Sequence, residues 1–290
     1  MRTALLHSAQ AGDSVAPEVL RRAVEGAGHT LVGLFESDVE DEAILARSPE
    51  LVVAAGGDGT VWRAATAVRG RAVPMAIIPV GTANNVATSL GIGGALDELA
   101  AGWHTAEHRR IDLGVVRGAR GESRFLEGVG GGLIARAIAT LGMDSGREPD
   151  DPDARIARAL RRYREILAAL VPRHLALRLD GEPRSGEFLL VEALNIGVIG
   201  PNLVLGPDAD PFDGLLEVVM AGEEQRGALD AYLRHRAEGR AHRLDIPTRR
   251  ARAIEVDGWS EMHVDDEARL GSSLGVVSIG VEPGALEILI

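Results

Sequence analysis

Two glycine-bearing segments, Gly56-Gly57-Asp58-Gly59-Thr60 and Gly81-Thr82-Ala83-Asn84-Asn85, lie 25 positions apart, and each follows an apolar run: Leu51 to Ala55, and Met75 to Ile78 with Pro79-Val80. Each is followed by a helix-like stretch, so both read as strand, tight turn, helix start. Such a turn aims backbone N–H groups and a helix N-terminus at an anion, and a glycine lets a phosphate approach the backbone closely. One turn of this kind occurs in any doubly wound fold. Two together, one with an aspartate and the other with two asparagines, point to an enzyme that handles phosphate.

The elements that must hold these turns follow from the surrounding pattern. Residues 1 to about 108 alternate as a parallel α/β unit. Strands are expected at Ala4–Leu6, Thr30–Phe35, Leu51–Ala55 and Met75–Ile78. Helices are expected at Pro17–Ala27, Asp41–Arg47, Gly59–Val68, Asn84–Leu90 and Ala95–Ala101. Ligands of such sheets sit beyond the carboxyl ends of the strands, where both turns fall. From about 109 to 274 strand runs dominate: Arg110–Val116, Ser123–Val129, Leu175–Leu179, Glu187–Ile196, Leu215–Met220, Arg252–Val256 and Glu261–Val264. Helices interrupt at Leu133–Leu141, Asp153–Leu170 and Gln225–Glu238. Asp180-Gly181 and Asp257-Gly258 read as hairpin turns, and Asp144–Asp153 as an exposed loop. The stretch Gly275–Ile290, with a turn at Pro283-Gly284, is strand-like and is placed to return to the first domain. The expectation is a Rossmann-like α/β nucleotide domain followed by a β-rich domain.

Composition narrows the chemistry. Of 290 residues 46% are apolar, enough for a substantial core, and no run reaches the roughly 18 apolar residues of a membrane span. The N-terminus reads as a first strand rather than a leader, and the absence of cysteine excludes disulfides and thiolate metal sites; both suit a cytoplasmic protein. A net charge of −12 argues against nucleic acid as a partner. All 31 basic residues are arginine, so nucleotide enzymes that require a lysine on the phosphates are excluded. Of the eight histidines, His104 and His108 stand four apart, and all eight read as surface or core residues.

With these motifs in hand, the chain resembles the bacterial lipid kinases of the diacylglycerol kinase catalytic-domain family. Its members pair Gly-Gly-Asp-Gly-Thr with Gly-Thr-x-Asn-Asp/Asn, as at 56–60 and 81–85. The similarity extends over Pro79 to Ile92, to Ile111-Asp112-Leu113-Gly114, to Asn195 with Gly197, to Pro207 to Ala209, to Asp213-Gly214-Leu215-Leu216-Glu217-Val218, and to His263-Val264-Asp265-Asp266-Glu267. The chain departs from the pattern in three places. Ser8-Ala9-Gln10-Ala11-Gly12 stands where members have Asn-Pro-x-x-Gly, Asn85 replaces the commoner aspartate, and Asp266 replaces the glycine of "D-G-E".

The resemblance implies ATP- and Mg²⁺-dependent transfer of the γ-phosphate to a lipid hydroxyl, which needs a phosphate cradle, a divalent cation and a carboxylate at the acceptor. It implies a cradle of Gly56, Gly57, Gly59, Thr60, Gly81 and Thr82, with Asn84 and Asn85 donating amides or bracing the turns. Ser37, in a segment similar to the family's "T-x-x-x-G-D-A", is either a nucleotide contact or a surface cap. Asp58 is a helix cap, a metal-linked carboxylate or a base. Asp112 and Glu267 are its companions around a largely water-mediated Mg²⁺, with Glu267 the candidate general base. Asp213, with Asp210 and Leu215, either holds a second, structural Mg²⁺ or is a plain turn aspartate.

The implied partner is a lipid substrate met at the membrane surface by peripheral contact, and the resemblance leaves room for a homodimer. Arg155, Arg158, Arg161, Arg162 and Arg164 form either a solvated helix face or a face that rests on headgroups. Two other functions stay open on the residues alone. One is an NAD kinase, which shares the Gly-Gly-Asp-Gly-Thr turn, although the other two motifs fit lipid kinases better. The other is a non-catalytic nucleotide- or lipid-binding homologue.

Overall fold

The computed structural model describes residues 1–8, 15–141, 151–271 and 273–290. The expected first-strand turn at 9–12 and most of the 144–153 loop fall outside these residues. The chain divides into two compact units, one of residues 1–111 with 284–290, the other of residues 112–283.

The first unit alternates strand and helix: β1 (Arg2–His7), α1 (Pro17–Gly26), β2 (Thr30–Glu36), α2 (Asp41–Leu45), β3 (Leu51–Gly56), α3 (Asp58–Val68), β4 (Met75–Pro79), α4 (Asn85–Ser89) and α5 (Leu96–Gly102). β2, β1, β3 and β4 pair in parallel in that order. β3 is buried along its whole length, as a strand covered on both faces must be, and its sequence Leu-Val-Val-Ala-Ala is correspondingly continuous in apolar residues. Leu20 and Val24 of α1 and Ala100 and Trp103 by α5 close one face on Leu5, Val53 and Ile78. Pro17 opens α1, where its missing N–H costs nothing.

The second unit begins within β5 (His108–Gly118) and continues through β6 (Gly121–Phe125), β7 (Gly128–Gly132), α6 (Leu133–Leu141) and α7 (Pro152–Ala169). Then come β8 (Arg173–Leu179), β9 (Glu182–Pro183), β10 (Gly186–Phe188), β11 (Leu190–Leu194), β12 (Val198–Ile199), β13 (Leu203–Val204) and β14 (Leu216–Ala221). The last elements are α8 (Arg226–Ala237), β15 (Thr248–Ala251), β16 (Ile254–Asp257), β17 (Glu261–Val264), β18 (Glu267–Leu270) and β19 (Val277–Leu289). A six-stranded antiparallel sheet runs β15-β14-β11-β7-β17-β18. Its face bearing Val191, Ala193, Met262 and Val264 shares a core with Leu177, Val256 and Ile279 from β8, β16 and β19. Its opposite face, with Leu190 and Leu194, is covered by Leu160, Tyr163 and Leu167 of α7 and Leu229 and Leu233 of α8. The β-rich second domain is thus two packed sheets with a helical layer outside one of them.

Several sequence expectations need correction. The run Ser123–Val129 is two strands, interrupted at Leu126-Glu127, and Glu187–Ile196 is broken at Leu189, which joins the helix-side core. Asp257-Gly258 is not a hairpin: β16 and β17 lie in different sheets, and Gly258, at φ +108°, carries the chain from one to the other. Pro283-Gly284 makes no turn, because β19 runs through both residues. Proline needs no ladder donor where its N–H would face away from a partner, so local turn chemistry misread this pair. Asp180-Gly181 does close the β8–β9 hairpin, with φ +49° and +84° at the two positions.

Candidate active site

In the first unit the two glycine turns pack backbone to backbone. A Cβ built on Gly81 would lie 2.2 Å from the Gly57 Cα and 2.8 Å from its nitrogen. Gly56 is needed for another reason: its Cβ would strike the Thr60 side chain, 2.3 Å from Oγ1, which folds back over the strand end. Gly59 differs from all three. It lies in the first turn of α3, is exposed, and a Cβ there would meet nothing within 4 Å. Neither packing nor backbone strain calls for glycine at 59, but close approach by an outside group would.

Asp58 joins the turns. One carboxylate oxygen accepts the Asn85 N–H at 3.1 Å and the other the Val86 N–H at 3.0 Å, so it caps α4 from 27 residues away. Asn84, at φ +53°, clamps its own turn. Its Oδ1 accepts the Gly81 N–H at 2.9 Å and its Nδ2 donates to the Gly81 carbonyl at 2.9 Å. Asn tolerates this left-handed conformation better than most residues do. Both asparagines therefore brace the second turn, Asn84 by its side chain and Asn85 by its backbone.

Sequence reasoning passed over Arg63. From α3 it donates to the Ser37 carbonyl at 3.1 Å, the Val39 carbonyl at 2.6 Å and Asp41 Oδ1 at 2.9 Å. One guanidinium thus ties the half-buried Ser37 segment to the helix that starts at Asp58. A lone arginine in a helix carries no sequence signal for this, since its three acceptors are mostly carbonyls.

In the second unit Asp112 is buried at 2% exposure. Its Oδ2 accepts the Gly214 N–H at 2.7 Å, its N–H donates to the Pro211 carbonyl, and its carbonyl accepts from Asn195 Nδ2 at 3.0 Å. Asn195 also donates to the Leu126 carbonyl, so the motif asparagine links Asp112 to the bend between β6 and β7. Asp213 Oδ1 accepts the Leu215 N–H and its other oxygen pairs with Arg250, while Asp210 Oδ1 accepts the Phe212 N–H. The 210–215 turn is thus closed by N–H donors and a guanidinium.

Glu267 opens β18, directly across the β17–β18 hairpin from Val264. Its side chain is 69% exposed, with the Arg269 guanidinium 3.5 Å away. The hairpin turns at Asp265-Asp266, and the left-handed residue is Asp265, at φ +48°. Asp266 is not in that region, so the backbone here makes no demand for the glycine it replaces. Asp265 anchors the turn: its carboxylate accepts the N–H groups of Leu126, Glu127 and Gly128 at 2.9–3.1 Å, and its own N–H donates to the Gly128 carbonyl. Burial pushes this carboxyl up to about 6, against the pull of its three donors.

Behind the hairpin lies a buried pair that sequence reasoning did not single out. Glu192 Oε2 and His263 Nε2 are 2.8 Å apart, both side chains fully buried, and His263 Nδ1 donates to the Asp265 carbonyl at 2.8 Å. Burial raises the Glu192 carboxyl. Burial also pulls the His263 imidazole down, but Glu192 beside it carries it above its usual value. The pair spans two strand spacings, about 10 Å, between β11 and β17. Gly130 of the intervening β7 lies opposite both residues. A Cβ on Gly130 would fall 2.0 Å from Glu192 Oε2, so the bare backbone is what lets the carboxylate cross the strand. On the other face, Gly131 makes room for the Trp259 indole in the same way.

Arg162 and Arg164 of α7 have acidic partners. Arg164 pairs with Asp230 at 2.8 Å and Arg162 with Glu165 at 2.6 Å, while the opposite face of the helix is buried. Among the described residues no three His, Asp or Glu side chains form a ready metal cluster, and no helix is long and apolar enough to cross a membrane.

The chain matches known proteins over nearly its whole length. Residues 9–116 match the diacylglycerol kinase catalytic domain and residues 154–290 the YegS C-terminal NAD kinase beta sandwich-like domain. A protein of Pseudomonas aeruginosa named "Probable lipid kinase YegS-like" is 31% identical over 298 residues, covering 98% of this chain and 92% of that one. The "Diacylglycerol kinase" of Mycobacterium tuberculosis is 29% identical over 222 residues, 74% of this chain and 69% of that one. A crystal structure of a diacylglycerol kinase from Bacillus anthracis superposes with a TM-score of 0.73 at 19% identity, covering 99% of this chain and 96% of that one. The chain is an enzyme of the kinase class and belongs to the diacylglycerol kinase catalytic-domain family of lipid kinases.

Proposed function

We propose that this kinase transfers the γ-phosphate of ATP to the hydroxyl of a diacylglycerol-like lipid, with Mg²⁺ as cofactor. The observation that carries the reading is the paired turn. Gly57 and Gly81 are in backbone contact, Asp58 locks the two loops together, and Gly59 stands open beside the first amides of α3, which have no carbonyl a turn earlier to bond. In this reading Gly56, Thr60, Thr82 and Asn85 complete the cradle. Ser37, held by Arg63, borders the nucleotide.

Asp58 acts chiefly by holding the two turns in register, since both of its oxygens already accept backbone N–H groups. Mg²⁺ would neutralise charge on the phosphates. With no preformed cluster of carboxylates among the described residues, it would be held largely through water by Asp112 and Glu267. Glu267, exposed and paired only at 3.5 Å, is the group free to accept the hydroxyl proton. Asp213 is assigned to Arg250 rather than to a second cation. The lipid is met by peripheral contact at a membrane surface.

Purified protein incubated with labelled ATP and Mg²⁺ should phosphorylate a lipid from a panel of diacylglycerol, phosphatidylglycerol and sphingoid bases, and leave NAD unlabelled. Labelled NAD with no labelled lipid would overturn the reading in favour of an NAD kinase. Glu267→Gln should bind ATP as the parent does and lose transfer by about 100-fold or more, the range of a lost general base.

A further inference from the structure

We propose that His263 is a positioning residue for Glu267, acting through the Asp265 carbonyl. The proposal rests on the reading that Glu267 serves the acceptor hydroxyl. Every hydrogen-bonding group of Asp265 is committed: three donors on its carboxylate, its N–H on Gly128, and its carbonyl on His263 Nδ1. Four of these five bonds go to the chain around β7 and hold the residue in place. The fifth, from His263, is the one that orients the peptide leading to Asp266, because a carbonyl's direction fixes the plane in which the next residue starts. Glu267 is exposed and makes no strong side-chain contact, so its backbone is set by this peptide and by its pairing with Val264.

The His263 ring is itself held. Its Nδ1 faces a carbonyl, which only accepts, and so must carry the proton. Its Nε2 faces Glu192 at 2.8 Å. Glu192 reaches it only because Gly130 has no side chain. A fully buried acid beside a fully buried imidazole is costly to maintain, and hydrophobic residues of similar volume would pack as well. What apolar residues could not do is present an N–H to the Asp265 carbonyl from inside the sheet.

Two isosteric variants separate this role from a merely structural one. His263→Asn places an amide where Nδ1 stood, so it keeps the donor to Asp265 and loses Glu192. His263→Gln places its amide near the Nε2 position, so it keeps Glu192 and loses the donor to Asp265. We expect His263→Gln to lower kcat by about tenfold or more with the KM for ATP within about twofold, and His263→Asn to keep kcat within about threefold. His263→Asn should nonetheless be the less stable of the two in thermal melts, since it leaves a buried carboxyl without its partner.

Activity that follows melting temperature across the pair would overturn the proposal, as would parental kcat in His263→Gln. Glu267→Gln is the control. If it retains parental turnover, the reading of Glu267 fails and takes this proposal with it. If Glu267→Gln is dead and His263→Gln is fully active, only the role of His263 falls.

Discussion

The glycines of the paired turns serve different ends, and substitution separates them. Gly81 is excluded from bearing a side chain by the Gly57 backbone 2.2 Å from where its Cβ would be, so Gly81→Val must push the two turns apart. It should cost about 1–3 kcal/mol of stability, the usual range for overpacking, and abolish nucleotide binding with it. Gly59→Ala meets nothing in the fold and sits in a helix that favours alanine. It should leave the melting temperature unchanged or raise it, by up to about 1 kcal/mol of stability. ATP binding should nevertheless weaken by about tenfold, because the added methyl occupies the space proposed for phosphate. Calorimetric titration beside a melt reads both quantities. Unchanged ATP affinity in Gly59→Ala would remove the phosphate from that turn.

At the scale of elements, the Ser37 segment is attached to α3 through Arg63. Its three acceptors lie on a short stretch, Ser37 to Asp41, and a planar fork of donors meets them where a lysine could not. Arg63→Lys and Arg63→Ala should both weaken ATP binding, by about threefold and tenfold, while kcat at saturating ATP stays near parental, since this loop positions the ligand in the ground state. Unaltered ATP affinity in Arg63→Ala would mean that the segment does not border the nucleotide. The β7–β11–β17 register is the corresponding device in the second unit. There a strand of sequence Gly-Val-Gly-Gly-Gly, poor by propensity, is tolerated because its missing side chains are filled by Glu192 on one face and Trp259 on the other.

For the molecule as a whole, the buried Glu192–His263 pair makes stability depend on pH. With Nδ1 protonated toward Asp265, a fully deprotonated pair would set the Nε2 lone pair against Glu192 Oε2 at 2.8 Å. The folded chain therefore keeps one proton on the pair. The unfolded chain, with an ordinary imidazole value near 6.5, loses that proton above neutrality. The native state then binds more protons than the unfolded state, so stability is present below about pH 6.5 and falls as pH rises toward 9. His29, whose imidazole is pulled down by burial, acts in the opposite sense and only below its unfolded value near 6.5. Denaturant melts between pH 6.5 and 9 should show the decline in the parent, and Glu192→Gln should flatten it, since an amide donates to a neutral ring at every pH. A decline of equal slope in Glu192→Gln would assign it to other groups.

The sequence by itself determined the alternation of strands and helices in the first half, the strand-rich character of the second and the family. These depend on local signals: apolar runs of strand length, glycine turns after them, and motifs contiguous in the chain. Even there, signals that depend on a partner strand misled, as at Pro283-Gly284, where β19 continues, and at Asp257-Gly258, where the chain changes sheets. Only the tertiary structure decided what the motif residues touch. Asp58 reaches amides 27 and 28 positions on, and Glu192 meets a histidine 71 positions away. Arg250 comes to Asp213 from the neighbouring strand of the sheet. The Glu192–His263 contact arises from sheet register and from the absence of a Cβ at Gly130, and neither is written in the identity of the residues it brings together. A glutamate inside a strand run and a histidine quoted only as part of a motif carry no sequence signal of each other; pairing β11, β7 and β17 around Gly130 makes them one group.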